Sequence, residues 1–282
     1  MTKWRLLVST LPWVAVILTV TYLRQDVLHI RSLVDFGDIG AVLTGAALII
    51  GFMLAGVIGD YKESEKLPGE LAATLETIDD AIATASRTGK PFEAAAFRRR
   101  YAEIAGVVTD WFANRAPAAR CFAALSEMNR LIADLERAGM PTPFLGRCLA
   151  EQHALRKLVI RIDVIRRTQF IQTGYALLQL FVATTILLLV FSNFRNAQVQ
   201  FLVVGTLSLI YLYLLRLIRD LDDPFEYAGG YREGASADVS PHPVVEYYQR
   251  LQADLADTAP TAPASAGPDP AGTAPTGAAP AR

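Results

Sequence analysis

Thiol and imidazole groups are scarce in this chain: two cysteines and three histidines in 282 residues. Cys121 and Cys148 form no CxxC pair. His29, His153 and His242 are scattered, with no Asp or Glu cluster beside any of them. This excludes recognisable metal-ligand spacing and paired redox thiols, so no metal and no cofactor are expected. A lipid-modifying activity would need an acid, base or nucleophile near the membrane surface. Asp38, His29 and Asp60 are the candidates and show no arrangement, so an enzyme is not expected. An excess of charge of one sign is missing too. The net charge is −1 and the pI near 6.3, without the basic bias of a nucleic-acid binder. Thr88-Gly89-Lys90-Pro91 is no phosphate loop, because proline stands where Ser or Thr is required and no glycine precedes at the right distance.

Apolar residues are abundant, at 52% with mean hydropathy +0.29. They gather in four uncharged runs, Leu6 to Leu23, Ile39 to Gly59, Thr168 to Phe194 and Asn196 to Leu215, of 18, 21, 27 and 20 residues. About 20 apolar residues cross a bilayer as a helix, and lipid offers no partner to an unpaired backbone group. Four transmembrane helices are expected, in two hairpins. Lys3 and Arg5 before the first run invite a signal-peptide reading, but "TVTYLRQD" offers no small-x-small cleavage site. The first helix is therefore expected to be retained, with Pro12 tolerated inside it.

Basic residues orient the chain. Lys3, Arg5, Arg156, Lys157, Arg161, Arg166, Arg167, Arg216 and Arg219 flank the ends that would face the cytoplasm. Both termini and the middle segment are thus expected inside, in a bacterial inner membrane. Among the four runs no charge appears before Arg216. Ion-coupled pumps usually need such charges. A channel does not, because an apolar constriction gates by dewetting and charge rings at its ends select.

The expected organisation is a first hairpin over 1–59, a helical cytosolic domain over 60–167, a second hairpin over 168–219, a C-terminal segment over 220–252 and a disordered tail over 253–282. Breakers divide the middle segment at Pro68, at 88–91, at Ala116-Pro117 and from Gly139 to Pro143. Phe122, Leu125, Met128, Leu131 or Ile132, and Leu135 mark one helical face, which Gly139 ends. The helix from near Phe144 is expected to run on into the third membrane helix as a rigid stalk. Phe97-Arg98-Arg99-Arg100-Tyr101 reads as a solvated helix face or an anion patch. A short amphipathic helix is expected from Val244 to Leu255, before an Ala-, Pro-, Thr- and Gly-rich tail. The class is all-α.

In the second run Thr44, Leu48 and Phe52 share one helical face, and Gly51, Ala55 and Gly59 a neighbouring one. Two arrangements fit. The large face lines a symmetric axis while the small face packs on neighbouring copies, or the large face meets lipid and the glycines pack within one subunit.

"IGFMLAGVIGDYKESEKLPGEL" resembles the second membrane helix of the bestrophin family and the residues after it. The likeness lies in Gly51-Phe52, the junction Asp60-Tyr61-Lys62, and Glu65-Lys66-Leu67-Pro68. "IRDLDDPFEY" is similar to the family's acidic Pro-Phe segment, carried by Asp222, Asp223, Pro224 and Phe225, and "LSEMNRL" is a weaker echo. The order of features agrees over roughly residues 1 to 235. The resemblance implies a four-helix, homopentameric ion channel in lipid, with Thr44, Leu48 and Phe52 as its neck and inorganic ions as permeant species. Animal members pass chloride; bacterial ones need not. Asp60 and Lys62 would form charge rings at the pore end, with Arg98, Arg99 and Arg100 as possible opponents of Asp60. The chain departs from the family in Asp60-Tyr61-Lys62, where Arg-Trp-Trp is usual, in Glu226 after Pro-Phe, and in "YAGGYREGA", which lacks the acidic run of calcium-activated members. Asp222-Asp223-Pro224 also reads as a plain turn, and it lacks the spacing of a calcium loop. A membrane-anchored scaffold without transport activity is the competing function.

Overall fold

The computed structural model describes residues 4–88, 92–167, 172–194, 196–225 and 238–257. Two layers of helices share the chain. The apolar layer holds α1 (Arg5–Tyr22), α2 (Gly40–Ser64), α7 (Gln172–Val190) and α8 (Ala197–Asp222); the bundle holds α3 (Leu67–Thr88), α4 (Ala94–Phe112), α5 (Ala118–Arg137), α6 (Thr142–Arg167) and α9 (His242–Asp257). At the far end of the apolar layer, strands β1 (Val34–Asp35) and β2 (Ser192–Asn193) pair in parallel and tie the α1–α2 connection to the α7–α8 turn.

Three segments are long and apolar enough to cross a membrane, lying in Leu6–Val27, Phe36–Arg87 and Ala197–Asp222. The expected third span is shorter, an apolar helix over Gly174–Val190. The stalk joining α6 to α7 falls at 168–171, outside the described residues.

The apolar run of α2 does not end the helix. Past Gly59 it continues to Ser64, and after a two-residue turn α3 begins at Leu67. Pro68 is therefore the second residue of a helix rather than a break, in the first turn where its missing N–H has no partner to lose. Two of the other breakers act as expected, and the one at 88–91 falls mostly outside the described residues. Pro117 precedes α5 in extended conformation. Gly139 adopts a left-handed φ of +88° just after α5. Its N–H and that of Met140 close back on the carbonyls of Glu136 and Leu135, both at 3.0 Å.

The bundle owns a sealed core. The α5 stripe of Leu125, Met128, Leu131 and Leu135 is fully buried in one cluster with Leu71, Leu75, Ile78 and Ile82 of α3 and Tyr101, Trp111 and Phe112 of α4. Each such side chain contributes roughly 1.5–3 kcal/mol relative to exposure. α9 joins this core through Val244, Tyr247 and Leu251, and extends to Asp257, past the Ala253 at which the tail composition begins. Glycine at 106 gives the Tyr248 side chain of α9 room against α4: a Cβ there would stand 2.6 Å from its hydroxyl. The arginines after Phe97 are mostly structural. Arg98 makes a fork to Asp79 at 2.8 and 2.6 Å, and Arg100 bridges Glu127 and Asp134 at 3.1 and 2.9 Å. Arg99 is exposed.

Candidate functional site

The two faces of α2 are sorted by packing. Ala46, Ile50 and Val57 are buried against Leu178 and Val182 of α7 and Tyr211 and Ile218 of α8. The Tyr211 hydroxyl donates to the Leu43 carbonyl at 3.0 Å and fixes the rotation of α2. Thr44, Leu48 and Phe52 consequently point away from the subunit, with Leu48 60% and Phe52 71% exposed. The Thr44 hydroxyl donates to the Gly40 carbonyl at 2.9 Å, so its polarity is satisfied inside the helix. Gly51, Ala55 and Gly59 are exposed beside them, and a Cβ added at Gly51 or Gly59 would meet nothing within 4 Å. Packing of these glycines within one subunit is thereby overturned as the explanation of the small stripe.

Asp60 and Lys62 are exposed on the last turns of α2. Between and beyond them the helix is held to the bundle. Glu63 accepts a fork from Arg161 of α6, Nε to Oε1 and Nη2 to Oε2, both at 2.9 Å. The hydrogen bonds from Arg161 hold the Glu63 carboxyl below the usual carboxylate range. Arg98 and Arg100, offered above as counter-charges to Asp60, are instead paired with Asp79, Glu127 and Asp134.

The segment after α8 is an anchor. α8 ends at Asp222, Asp223 leaves the helix at φ −119° and ψ 74°, and Pro224-Phe225 turns into the bundle. Phe225 is 1% exposed, edge-on to Phe112 with ring centroids 5.8 Å apart. Its carbonyl accepts from Asn114 Nδ2 at 3.0 Å, and the Pro224 carbonyl from the Val239 N–H at 2.8 Å. Arg166 sits at the centre. Its guanidinium lies 4.8, 5.6 and 5.5 Å from the rings of Trp111, Phe112 and Phe225. Nη1 and Nη2 donate to the carbonyls of Trp111 and Phe112 at 3.0 and 2.5 Å, capping the C-terminal turn of α4. The turn reading thus describes the backbone of the Pro-Phe motif. Glu226 and the residues after it to 237 lie outside the described residues.

Arg161, Arg166, Asn114 and Tyr211 were not legible as site residues. Their partners lie between 54 and 168 positions away in sequence. Asn114 alone carried a local signal, since Asn is favoured at the left-handed position after a helix, and its φ is +57°. Both cysteines are buried and unpaired, and burial pushes the Cys121 thiol up to about 12 and Cys148 to about 11; neither is a thiolate at neutral pH. Among the described residues no three His, Cys, Asp or Glu side chains converge on a metal position.

No protein-family model matches the chain, and no curated protein matches it. Solved structures do. A bacterial bestrophin homologue from Klebsiella pneumoniae has a TM-score of 0.69 at 17% identity, covering 92% of this chain and 100% of its own. A variant of that homologue gives 0.67 at 16% identity over 90% and 98%. A third structure, of a membrane protein, gives 0.68 at 17% identity over 92% and 100%. Identities this low speak for architecture. With apolar helices suited to a bilayer and nine-tenths of its length matching a bestrophin homologue from end to end, the protein is a membrane protein of bestrophin-like fold.

Proposed function

We propose that this protein is a bestrophin-like ion channel: a homo-oligomer, pentameric as the fold resemblance implies, with α2 lining the axis. The outer face of α2 carries this reading. It is uncharged from Ile39 to Gly59, presents Leu48 and Phe52 at 60% and 71% exposure, and leaves its glycine face uncovered by its own subunit. In a ring, Thr44, Leu48 and Phe52 form the neck and the small face receives the neighbouring copy. An apolar neck opposes ions while it is dewetted and does little to choose their sign. Asp60 and Lys62 form the charged rings at its end, and inorganic ions are the permeant species. α7 serves as the fourth span, paired with α8. The basic residues around the bundle support a cytoplasmic side for it and for both termini, in a bacterial inner membrane.

The test is the current through purified protein in a planar bilayer under a potassium chloride gradient. A reproducible conductance supports the channel, and the sign of the reversal potential gives its selectivity. Leu48→Ala and Phe52→Ala are expected to alter that conductance; if neither does, the neck lies elsewhere. Silence from folded, inserted protein, with monomeric particles in detergent and lipid, would favour the membrane-anchored scaffold.

A further inference from the structure

The apolar layer is not closed on itself. Between α1, α7 and α8 runs a groove of about 420 Å³, walled by Val16, Val20, Ala183, Leu187, Phe191 and Leu212. On α7 its lining reaches from position 179 to 190. At 1.5 Å per residue that is roughly 17 Å, about half the hydrocarbon thickness of a bilayer and the reach of one acyl chain.

The end of the groove remote from the bundle is capped by a charge. Phe191 forms that end, and the guanidinium of Arg24 lies over its ring, 5.8 Å from the centroid. Arg24 belongs to the π-helical turn Leu23–Val27 that follows α1, and is only 4% exposed. Nη1 donates to the Ile30 carbonyl and to Ser32 Oγ, both at 3.3 Å. Its buried Nε has no acceptor, and the amide oxygen of the adjacent Gln25 is buried without a donor. Among the described residues no carboxylate pairs with Arg24. A guanidinium withdrawn from water without an anion is strongly unfavourable. Its planar fork matches phosphate, and Phe191, over whose ring it lies, lines the end of the acyl-sized groove.

We propose that one phospholipid binds here, from the leaflet remote from the bundle, with an acyl chain in the groove and its phosphodiester on Arg24. The site lies within one subunit and stands independently of the channel reading. The headgroup would answer the buried charge, and the chain would fill the gap between α1 and α7.

The experiment uses the full-length protein, delipidated in mild detergent and titrated by native mass spectrometry with phosphatidylglycerol, diacylglycerol or inorganic phosphate. One phosphatidylglycerol per subunit is expected to bind. Diacylglycerol, which keeps the chains and lacks the phosphate, should bind about tenfold more weakly, the loss of one charge-assisted hydrogen bond. Inorganic phosphate should fail to compete. Arg24→Gln should weaken phosphatidylglycerol about tenfold and leave diacylglycerol unchanged. Ala183→Phe should abolish both, and Arg31→Gln, on the same connection, should change neither. Equal affinity for phosphatidylglycerol and diacylglycerol on the unaltered protein would overturn the headgroup assignment, whether or not the Arg24 variant folds. Full binding by a folded Ala183→Phe protein, or cross-linking of Val16→Cys between copies, which would mean that protein covers the groove, would overturn the chain assignment.

Discussion

In the bundle most large apolar side chains are sealed, although Leu149, Ile160 and Val164 of α6 stand exposed. Trp111, Tyr101, Phe112, Phe225, Leu71 and Leu75 are all at most 2% exposed. In the apolar layer the same residue types stand outside, with Leu180 64%, Leu202 69% and Phe52 71% exposed. Polar groups diverge in the same way. The bundle pairs its charges across helices, Arg98 with Asp79 and Arg100 with Glu127 and Asp134. The interior of the apolar layer carries hydroxyls instead of charges; several turn onto their own helices, Thr10 to the Leu6 carbonyl, Thr19 to Ala15, Thr21 to Ile17 and Thr44 to Gly40, and Tyr211 reaches across to Leu43. Water rewards a closed core and solvates what is left over. Lipid rewards no such closure, but it offers polar groups no partner. The bundle thus closes a core within one chain, while the apolar layer leaves many of its large apolar side chains outside.

The sharpest break of this comparison is a matched pair of leucines. Leu75→Ala should cost about 2–5 kcal/mol of unfolding free energy, read by denaturant melts, while Leu180→Ala on the outer face should cost little. Similar losses would mean that the outer face is packed too. Next comes Arg166. Arg166→Lys removes the fork to two carbonyls and the planar stacking on three rings, so it should cost about 2 kcal/mol or more, even though the charge is kept. Hydrogen exchange should then rise at the end of α4, at Phe225 and in α9. A Lys variant as stable as the parent would show that charge alone serves there.

A pair of glycines sharpens the comparison further. Gly106→Ala drives a Cβ against the Tyr248 ring and should destabilise by about 1–3 kcal/mol, with faster exchange in α9. Gly51→Ala enters open space, so the subunit's unfolding should be unchanged, while the yield of assembled rings should fall if the small face is an interface. The smallest effect belongs to the junction. Glu63 and Arg161 are about half exposed, so Glu63→Gln should cost less than about 1 kcal/mol. The Glu63 carboxyl titrates below its ordinary 4.5 in the folded protein. Its contribution is therefore present above that value and lost as pH falls through the lowered folded pKa. Melts of parent and variant should converge at acid pH.

Helix content, the apolar runs, the α5 stripe and the Gly139 stop were all legible in the sequence, because each rests on a local period or a single backbone conformation. The Val244–Leu255 helix was legible for the same reason. The break expected at Pro68 falls just before it, at Glu65-Lys66, since proline is at home in the first turn of the helix that follows. The arginines at 98 and 100 carried no local sign of their partners, which lie 19 to 34 positions away.

By itself the sequence determined which segments favour lipid and which favour water, because hydropathy and helical period are properties of neighbouring residues. It also determined that Thr44, Leu48 and Phe52 share a face. Which way that face points was decided by tertiary structure alone. α2 could have buried either side, and the contacts of Ala46, Ile50 and Val57 with α7 and α8, with the Tyr211 bond to Leu43, turned Leu48 and Phe52 outward. The same holds for Arg166 and Arg24, whose surroundings come from elements far apart in the chain, and whose roles exist only where those elements meet.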